Sequence, residues 1–493
     1  MLRHRKPVIV GAIVLSFWAI MTALLINREV LAPGASRAAP RTALPTKPQD
    51  VWLGVFVPGE RRIGYIHAQS APEPRNGLPG ARMHLTANLQ MSLLGETADV
   101  QVAGNVWTGL DTSEFQFTVR SGDHDLRAEG RVADGRLTGE VLTAGERMPL
   151  DFPMNGNAIF TGGMGGMAGI PAPKPGEEFT ISTFDPITLS AAPARVTYAG
   201  RDTLTIGGED VSATIAEVSS SGIASRVWLG DDNEVLRAET PYGLTLARIT
   251  PEEAHEAPAG NAGGEADLLS AVAIHPTGTK PFRGAQAMRI RIDGVDENTG
   301  LPEDEQQRAV SRREYTIEAA PDNVPARAEP EGGVEPHLAS DALIQAAHPL
   351  IAEQAATIVG AETDPWKKAQ AIYNWVYKNI QKKPVASVPS ALEVLKTRQG
   401  DCNEHTVLYA ALARAVGIPT RVAVGIVWSD ELDGFYYHAW PEVFVDRWIR
   451  IDPTLGQPQA DATHIKMATG DILQWARIVP YMGRLKMEVL GIR

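Results

Sequence analysis

Between residues 50 and 250, hydrophobic and polar side chains alternate with period two. The segment MHLTANLQMSL puts Met83, Leu85, Ala87, Leu89, Met91 and Leu93 on one face and His84, Thr86, Asn88, Gln90 and Ser92 on the other, the pattern of a half-buried strand. EFQFTVRSG repeats it with Phe115, Phe117 and Val119, and turn signals such as ADGR and Gly207-Gly208 separate further candidates. The pattern predicts an antiparallel β domain over 50–250, interrupted by a long loop at GGMGGMAGIPAPKPG, residues 162–176. No side chains in this stretch have the spacing of a reaction centre, so its expected role is binding, spacing or scaffolding. PEEAHEAPAGNAGGEAD, residues 251–267, reads as a linker by its acidic, Gly/Ala/Pro-rich composition. Two further alternating runs, AMRIRIDGV and SRREYTIEA, predict a small β module over 268–335.

From Ser340 the period becomes helical. SDALIQAAHPLIAEQAATIVG predicts a helix with Ser340 as N-cap and Gly360 as its stop, kinked or divided by Pro349. TDPWKKAQAIYNWVYKNI predicts a second helix, capped by Thr363 or Asp364, with Trp366 and Trp375 in the core. Ser390 is expected to cap a short helix, ALEVLKT. Then Cys402 opens an apolar-periodic helix through Leu408, Leu412 and Val416, which Gly417 ends. TRVAVGIVW, YYHAWPEVFVD and RWIRIDP follow as strands. The fold class expected is multidomain α+β: an N-terminal membrane helix, antiparallel β structure, and an α+β domain over 340–493.

The N-terminus bears on the compartment. Residues 8–26, VIVGAIVLSFWAIMTALLI, carry no charge, and at 1.5 Å per residue they just cross a bilayer core of about 30 Å. Arg3, Arg5 and Lys6 precede them, which by the positive-inside tendency keeps the N-terminus cytoplasmic and exports the rest. Residues 1–28 therefore read as a single-pass membrane anchor and 29–49 as a Pro/Ala-rich linker. The competing reading is a cleaved signal peptide with ASRAA, residues 35–39, as the small-residue cleavage region; the apolar run is long for a signal. Both readings export the bulk of the chain.

Charge and cysteine count narrow the chemistry. The 493 residues carry a formal net charge of −13, which argues against nucleic acid as a partner. The single cysteine excludes an intramolecular disulfide and a Cys-rich metal site, and with no EF-hand loop or H-E-x-x-H word the expectation is no metal and no cofactor. The lone thiol of Cys402 lies at a helix start, where unpaired N–H groups and the helix dipole favour thiolate. His438 and Asp452, on the strands that follow, are candidates for its base and the carboxylate that orients that base. His405, three residues after Cys402, is a rival base and otherwise a helix-surface or supporting residue. Asp401 and Glu404 are expected to cap and charge the first turn, Trp440 and Glu442 share the strand parity of His438, and His464 reads as structural.

The order Cys, His, Asp with the local words GDCNEHT, HAW and IDPT resembles the transglutaminase-like superfamily of papain-like thiol enzymes. The resemblance covers residues 340–475 and is strongest from Arg398 to Lys466. It implies Cys402 as nucleophile, His438 as general base and acid, and Asp452 as orienting carboxylate. It also implies a helical lobe bearing the cysteine packed on a sheet bearing the other two. The expected activity is acyl transfer on a peptide or glutamine carboxamide through a Cys402 thioester, hydrolysis being favoured over amine cross-linking. The Cys402 backbone N–H is the expected oxyanion donor. The contrasting expectation is a membrane-anchored scaffold that binds peptides through the same fold without turning them over.

Overall fold

The computed structural model describes residues 44–493 apart from 58–59, 94–95, 123, 144, 155–157, 161–169, 186–189, 221–222, 241–243, 257–272, 296–299, 321–332, 342, 384–389, 471–480 and 482–483. The apolar segment 8–26 lies outside the described residues, as does most of the expected 162–176 loop; among the described residues no helix is long and apolar enough to cross a membrane.

Strands from Gln49–Val57 to Thr245–Arg248 form one 15-stranded sheet. Its neighbours are antiparallel except where Ala158–Phe160 runs parallel to Glu178–Asp185. The period-two pattern explains it: Leu85, Ala87 and Leu89, then Phe115, Phe117 and Val119, all point into one core. The sheet curls until distant strands meet, with Phe184 of Glu178–Asp185 against Phe115 at 5.4 Å and Phe152 at 6.2 Å between ring centroids. Burying one apolar face against itself is the main stabilising term for such a sheet.

The expected linker begins differently. Helix α1 (Pro251–His255) occupies its start, because Thr250 and Glu253 close a capping box and Pro251 sits in the first turn. Composition concealed this local signal.

Beyond it, Ala287–Asp293 and Glu314–Glu318 pair as the alternation predicts, with Met288, Ile290, Ile292, Tyr315 and Ile317 buried. The chain's last strand, Lys486–Ile492, pairs antiparallel with Ala287–Asp293 and completes a five-stranded sheet. The small module is thus built from both sides of the C-terminal helical region.

That region contains α2 (Pro349–Val359), α3 (Pro365–Asn379), α4 (Ala391–Thr397) and α5 (Cys402–Ala415). The helix expected from Ser340 starts only at Pro349, with His348 as N-cap. Proline has no N–H to give and fits the first turn, so it begins the helix instead of kinking it. Asp364 caps α3, accepting from Trp366 N at 2.9 Å. Ser390 precedes α4 without a capping bond, its Oγ accepting instead from Gln345 Nε2 at 3.0 Å. Helix α5 is buried from Glu404 to Arg414, between the other helices and a four-stranded sheet. The sheet order is Trp448–Arg450, Gly434–Phe444, Thr420–Ser429 and Ile465–Gly470. Gly425 permits a close approach there, since a Cβ at that position would run into the Ile465 carbonyl and lie 2.9 Å from Trp440 Cη2.

Two sets of contacts fasten this domain to the rest. Thr143 Oγ1 of the large sheet donates to Glu393 Oε2 at 2.8 Å. From the small module, Gln307 Nε2 donates to the Lys466 carbonyl and its Oε1 accepts from Lys466 N, each at 2.8 Å. Asp304 pairs with Arg450 and Lys466, which hold its carboxyl at about 2 although burial alone would raise it. Glu442 completes this buried network with Arg421 at 2.7 Å and Lys466 at 2.9 Å.

Candidate active site

Cys402 is the first residue of α5. Asp401, its N-cap, accepts from Asn403 N at 2.8 Å, and the Glu404 carboxylate returns to Asp401 N at 2.9 Å. The two form the expected capping box. Gly400 is required before it, because a Cβ there would run into the Glu404 side chain. One turn along, Thr406 Oγ1 donates to the Ala439 carbonyl at 3.2 Å, and the Ala439 amide lies near enough to the Cys402 sulfur to favour thiolate. The helix start is therefore pinned across the strand Gly434–Phe444, one residue from His438.

His438 and Asp452 are both buried. His438 Nε2 lies 2.8 Å from Asp452 Oδ2. A carboxylate here only accepts, so Nε2 carries the proton and Nδ1 presents a lone pair. That Nδ1 is buried and has no hydrogen-bond partner among the described residues. Asp452 is saturated: Oδ1 accepts from Thr454 N and Leu455 N, each at 2.8 Å, and Oδ2 also accepts from His464 Nε2 at 3.0 Å. Burial alone would raise its carboxyl, but the His438 and His464 contacts hold it well below the usual range.

The thiol departs from expectation. Burial pushes Cys402 well up, the neighbouring Asp401 carboxylate adds to this, and the Ala439 amide opposes both. The resting group is a neutral thiol, because at this helix start desolvation outweighs the dipole.

His405 is not on the helix surface. It is buried, with Nδ1 at 2.7 Å from the Asp401 carbonyl, and burial lowers its pKa. The Asp401 carbonyl and the Asp401 and Asp452 charges favour an imidazolium there, but burial outweighs them and no carboxylate bonds the ring. His438 has such a carboxylate in Asp452, which separates the two candidate bases.

Sequence reading missed the part played by His464. It bridges two carboxylates, Asp452 at 3.0 Å and Asp461 at 3.4 Å, which overcome burial and raise it above 6.5. The Asp461-x-x-His464 spacing was its only local signal. Trp440 packs on both imidazoles, 6.1 Å from His438 and edge-on at 5.1 Å from His464. His438, Asp452 and His464 have the donor set of a divalent-metal site, their ligand atoms lying within 4.8 Å of one another. Both imidazoles, however, direct Nε2 at a single carboxylate oxygen, and the other oxygen is held by two amides, so the geometry is that of a hydrogen-bonded relay.

A folded-state pKa raised at His464 makes stability fall as pH rises from about 6.5 towards that raised value, since the native state keeps the proton longer than the unfolded chain. His464→Gln is expected to remove this component of the slope in melting temperature against pH. A slope identical to wild type would refute the bridging charge.

Tyr436 was also missed, although period two puts it on the His438 face. Its ring lies 5.7 Å from His438, and its hydroxyl lies near the Arg283 guanidinium. Tyr373 stacks on Tyr377 at 6.1 Å nearby, and burial first, then Tyr377 and Asp452, push its phenol up to about 12.

Residues 352–453 match the family model of the transglutaminase-like superfamily, so the chain carries a transglutaminase-like domain in the segment that contains all three candidates. An uncharacterized protein of Haemophilus influenzae is 32% identical over 96 residues, 18% of this chain and 24% of that protein. The chain thus spans about a quarter of the length of the curated relative it matches. A Cytophaga hutchinsonii structure, described as that of a candidate cysteine protease, is 17% identical, covering 43% of this chain and 85% of that one with a TM-score of 0.28. A Parabacteroides distasonis structure, described as that of a candidate protease, is 10% identical, covering 74% and 65%, with a TM-score of 0.20. At those scores neither structural likeness bears on the activity of this chain.

Proposed function

We propose that the transglutaminase-like domain is a thiol acyl-transfer enzyme in which Cys402 is the nucleophile, His438 the base and acid, and Asp452 the orienting carboxylate. The observation that carries this is the buried, unpartnered Nδ1 of His438, held in its lone-pair form by Asp452 and adjacent in the chain to the Ala439 amide that lies near the Cys402 sulfur. As the thiol attacks a peptide or glutamine carboxamide carbonyl, its proton passes to His438 Nδ1 and the S–C bond forms. Collapse of the tetrahedral adduct breaks the C–N bond, and His438 returns the proton to the departing amine. Water then attacks the thioester, gives a proton to His438, and releases the acid with the thiol restored. An amine in place of water gives cross-linking instead; hydrolysis is the favoured outcome because water is always present. The Cys402 N–H at the start of α5 is the proposed oxyanion donor. Residues 8–26 are proposed to anchor the protein, with the bulk of the chain exported, so that the accessible substrates are extracytoplasmic proteins and peptides.

The partly buried thiol, pushed up by desolvation, favours one other reading, a membrane-anchored peptide-binding scaffold. Iodoacetamide labelling across pH separates them. Under the catalytic reading, His438→Ala slows labelling of Cys402 at pH 7 at least about tenfold and moves the profile to the alkaline side, because the proton acceptor is gone. Superimposable profiles for the two proteins would leave the scaffold.

A further inference from the structure

Two cations lie near the candidate site, one from the helical region and one from the small β module, and neither forms an ion pair among the described residues. Lys382 comes from the helical side. Its backbone lies alongside Gly400 in a short parallel pairing, and Lys383 N donates to the Gly400 carbonyl at 3.1 Å, two residues before Cys402. The Lys382 ammonium sits over the Tyr377 ring, 5.2 Å from its centroid. Arg283 comes from the small β module. Its Nη1 donates to the Trp428 carbonyl at 3.1 Å, and its guanidinium lies near the hydroxyl of Tyr436, whose ring adjoins His438. The two are near enough to repel: burial lowers Lys382 first, the Asp452 carboxylate opposes this, and Arg283 lowers it further.

Several cations elsewhere do meet carboxylates. Arg289 and Arg291 share Glu314, Lys280 meets Asp433, and Arg421 and Lys466 meet Glu442. In a protein with net charge −13, two like charges left beside the nucleophile are unfavourable unless something anionic arrives. Asp452 and Asp401 are nearby carboxylates; the first already accepts four hydrogen bonds from imidazoles and amides, and the second caps α5. A planar guanidinium and a mobile ammonium are together suited to a carboxylate, the first through paired N–H groups and the second as a point charge.

We propose that Lys382 and Arg283 form a recognition site for a carboxylate carried by the substrate close to the carbonyl that Cys402 attacks. The substrate class is therefore an acidic peptide, its carboxylate being either a free C-terminus or an acidic side chain. This rests on Cys402 being the nucleophile, but it can fail separately.

The test compares alkylation of Cys402 by iodoacetate and by iodoacetamide, reagents of similar size that differ in charge. The ratio of the two rates cancels general changes in thiol reactivity. Wild type is expected to favour iodoacetate at least about fivefold more than the free thiol N-acetylcysteine does, and Lys382→Gln/Arg283→Gln to return to the free-thiol ratio. His438→Ala slows both reagents together, which tests the nucleophile and leaves the ratio in place. A wild-type ratio equal to that of the free thiol, unchanged in the double variant, overturns the proposal. If Cys402 reacts with neither reagent, calorimetry on Cys402→Ala decides. Acetyl-Ala-Ala with a free carboxylate, or acetyl-Glu-Ala-amide, should bind at least fivefold more tightly than acetyl-Ala-Ala-amide, an advantage lost when Lys382→Gln/Arg283→Gln is added. The first peptide winning identifies a terminal carboxylate and the second an acidic side chain; equal binding of all three overturns the site.

Discussion

Cys402→Ala is expected to lower turnover of a glutamine-peptide or general peptide substrate by about 10⁴-fold or more while leaving the fold intact. The loss is large because the chemical step has no second nucleophile to draw on: Cys402 is the chain's one cysteine. The structural cost is small. The side chain is only partly buried at the first position of α5, and the capping box of Asp401 and Glu404 that fixes the helix start does not involve its sulfur. Truncating Sγ there costs about 1 kcal/mol at most, well within the tolerance of a folded domain. The measurement is turnover by the soluble portion with an amine probe present, beside a thermal melt. Amine incorporation by wild type alone would move the reaction from hydrolysis to transamidation, whereas equal turnover by Cys402→Ala would sink the nucleophile.

Asp452→Asn is expected to cost both activity and stability. Asp452 Oδ2 accepts from His438 Nε2 and from His464 Nε2, while Oδ1 accepts two amides. In the variant, the retained oxygen must stay with the amides, which have no other acceptor, so the new NH₂ faces the two imidazoles. To accept from it, His438 has to surrender its Nε2 proton and carry one on Nδ1, and the lone pair intended for the thiol proton is lost. A drop in kcat of about 10³- to 10⁴-fold follows, with KM changed little. The same substitution removes the anion that, with Asp461, keeps His464 raised, and removing one partner of a buried charge cluster costs about 3 kcal/mol or more. The depressed carboxyl of Asp452 contributes stability at pH values above its ordinary 3.8, lost as pH falls through the lower folded value. Asp452→Asn should therefore flatten the acid limb of the stability profile. An unchanged limb together with wild-type kcat would remove Asp452 from the proposed mechanism.

Much of the large sheet and of the last domain was legible because burial there follows a one-dimensional period. Leu85, Ala87 and Leu89 lie on the buried face that alternation assigns, and α5 begins at Cys402 and gives way to Gly417 as its capping residues require. Errors fell where a local signal was outweighed or misread. Pro349 began a helix that the apolar period had extended back to Ser340, and Thr250 and Glu253 capped a helix inside a segment classed by composition as linker. The final strand, Lys486–Ile492, was not separated in the sequence from the helical domain that precedes it. Its partner, Ala287–Asp293, is about 200 residues away in the chain, and only pairing with it buries Met487 and Val489.

The candidate site divides along the same line. The sequence by itself determined that one thiol opens a helix, that a histidine follows on a strand, and which face of that strand the histidine shares with Trp440 and Glu442; the aspartate expected on the next strand lies past its end at Arg450, in an isolated bridge to Gln457. It also determined the capping of that helix, since Asp401 and Glu404 act within a single turn. Only the tertiary structure decided that Thr406 ties the start of α5 to Ala439, the residue after His438, that His464 shares the Asp452 oxygen, and that Lys382 and Arg283 come near from separate elements. It decided the state of the thiol as well: a helix start favours thiolate through short-range dipoles readable from position, but desolvation depends on everything packed around the sulfur, and here that burial wins.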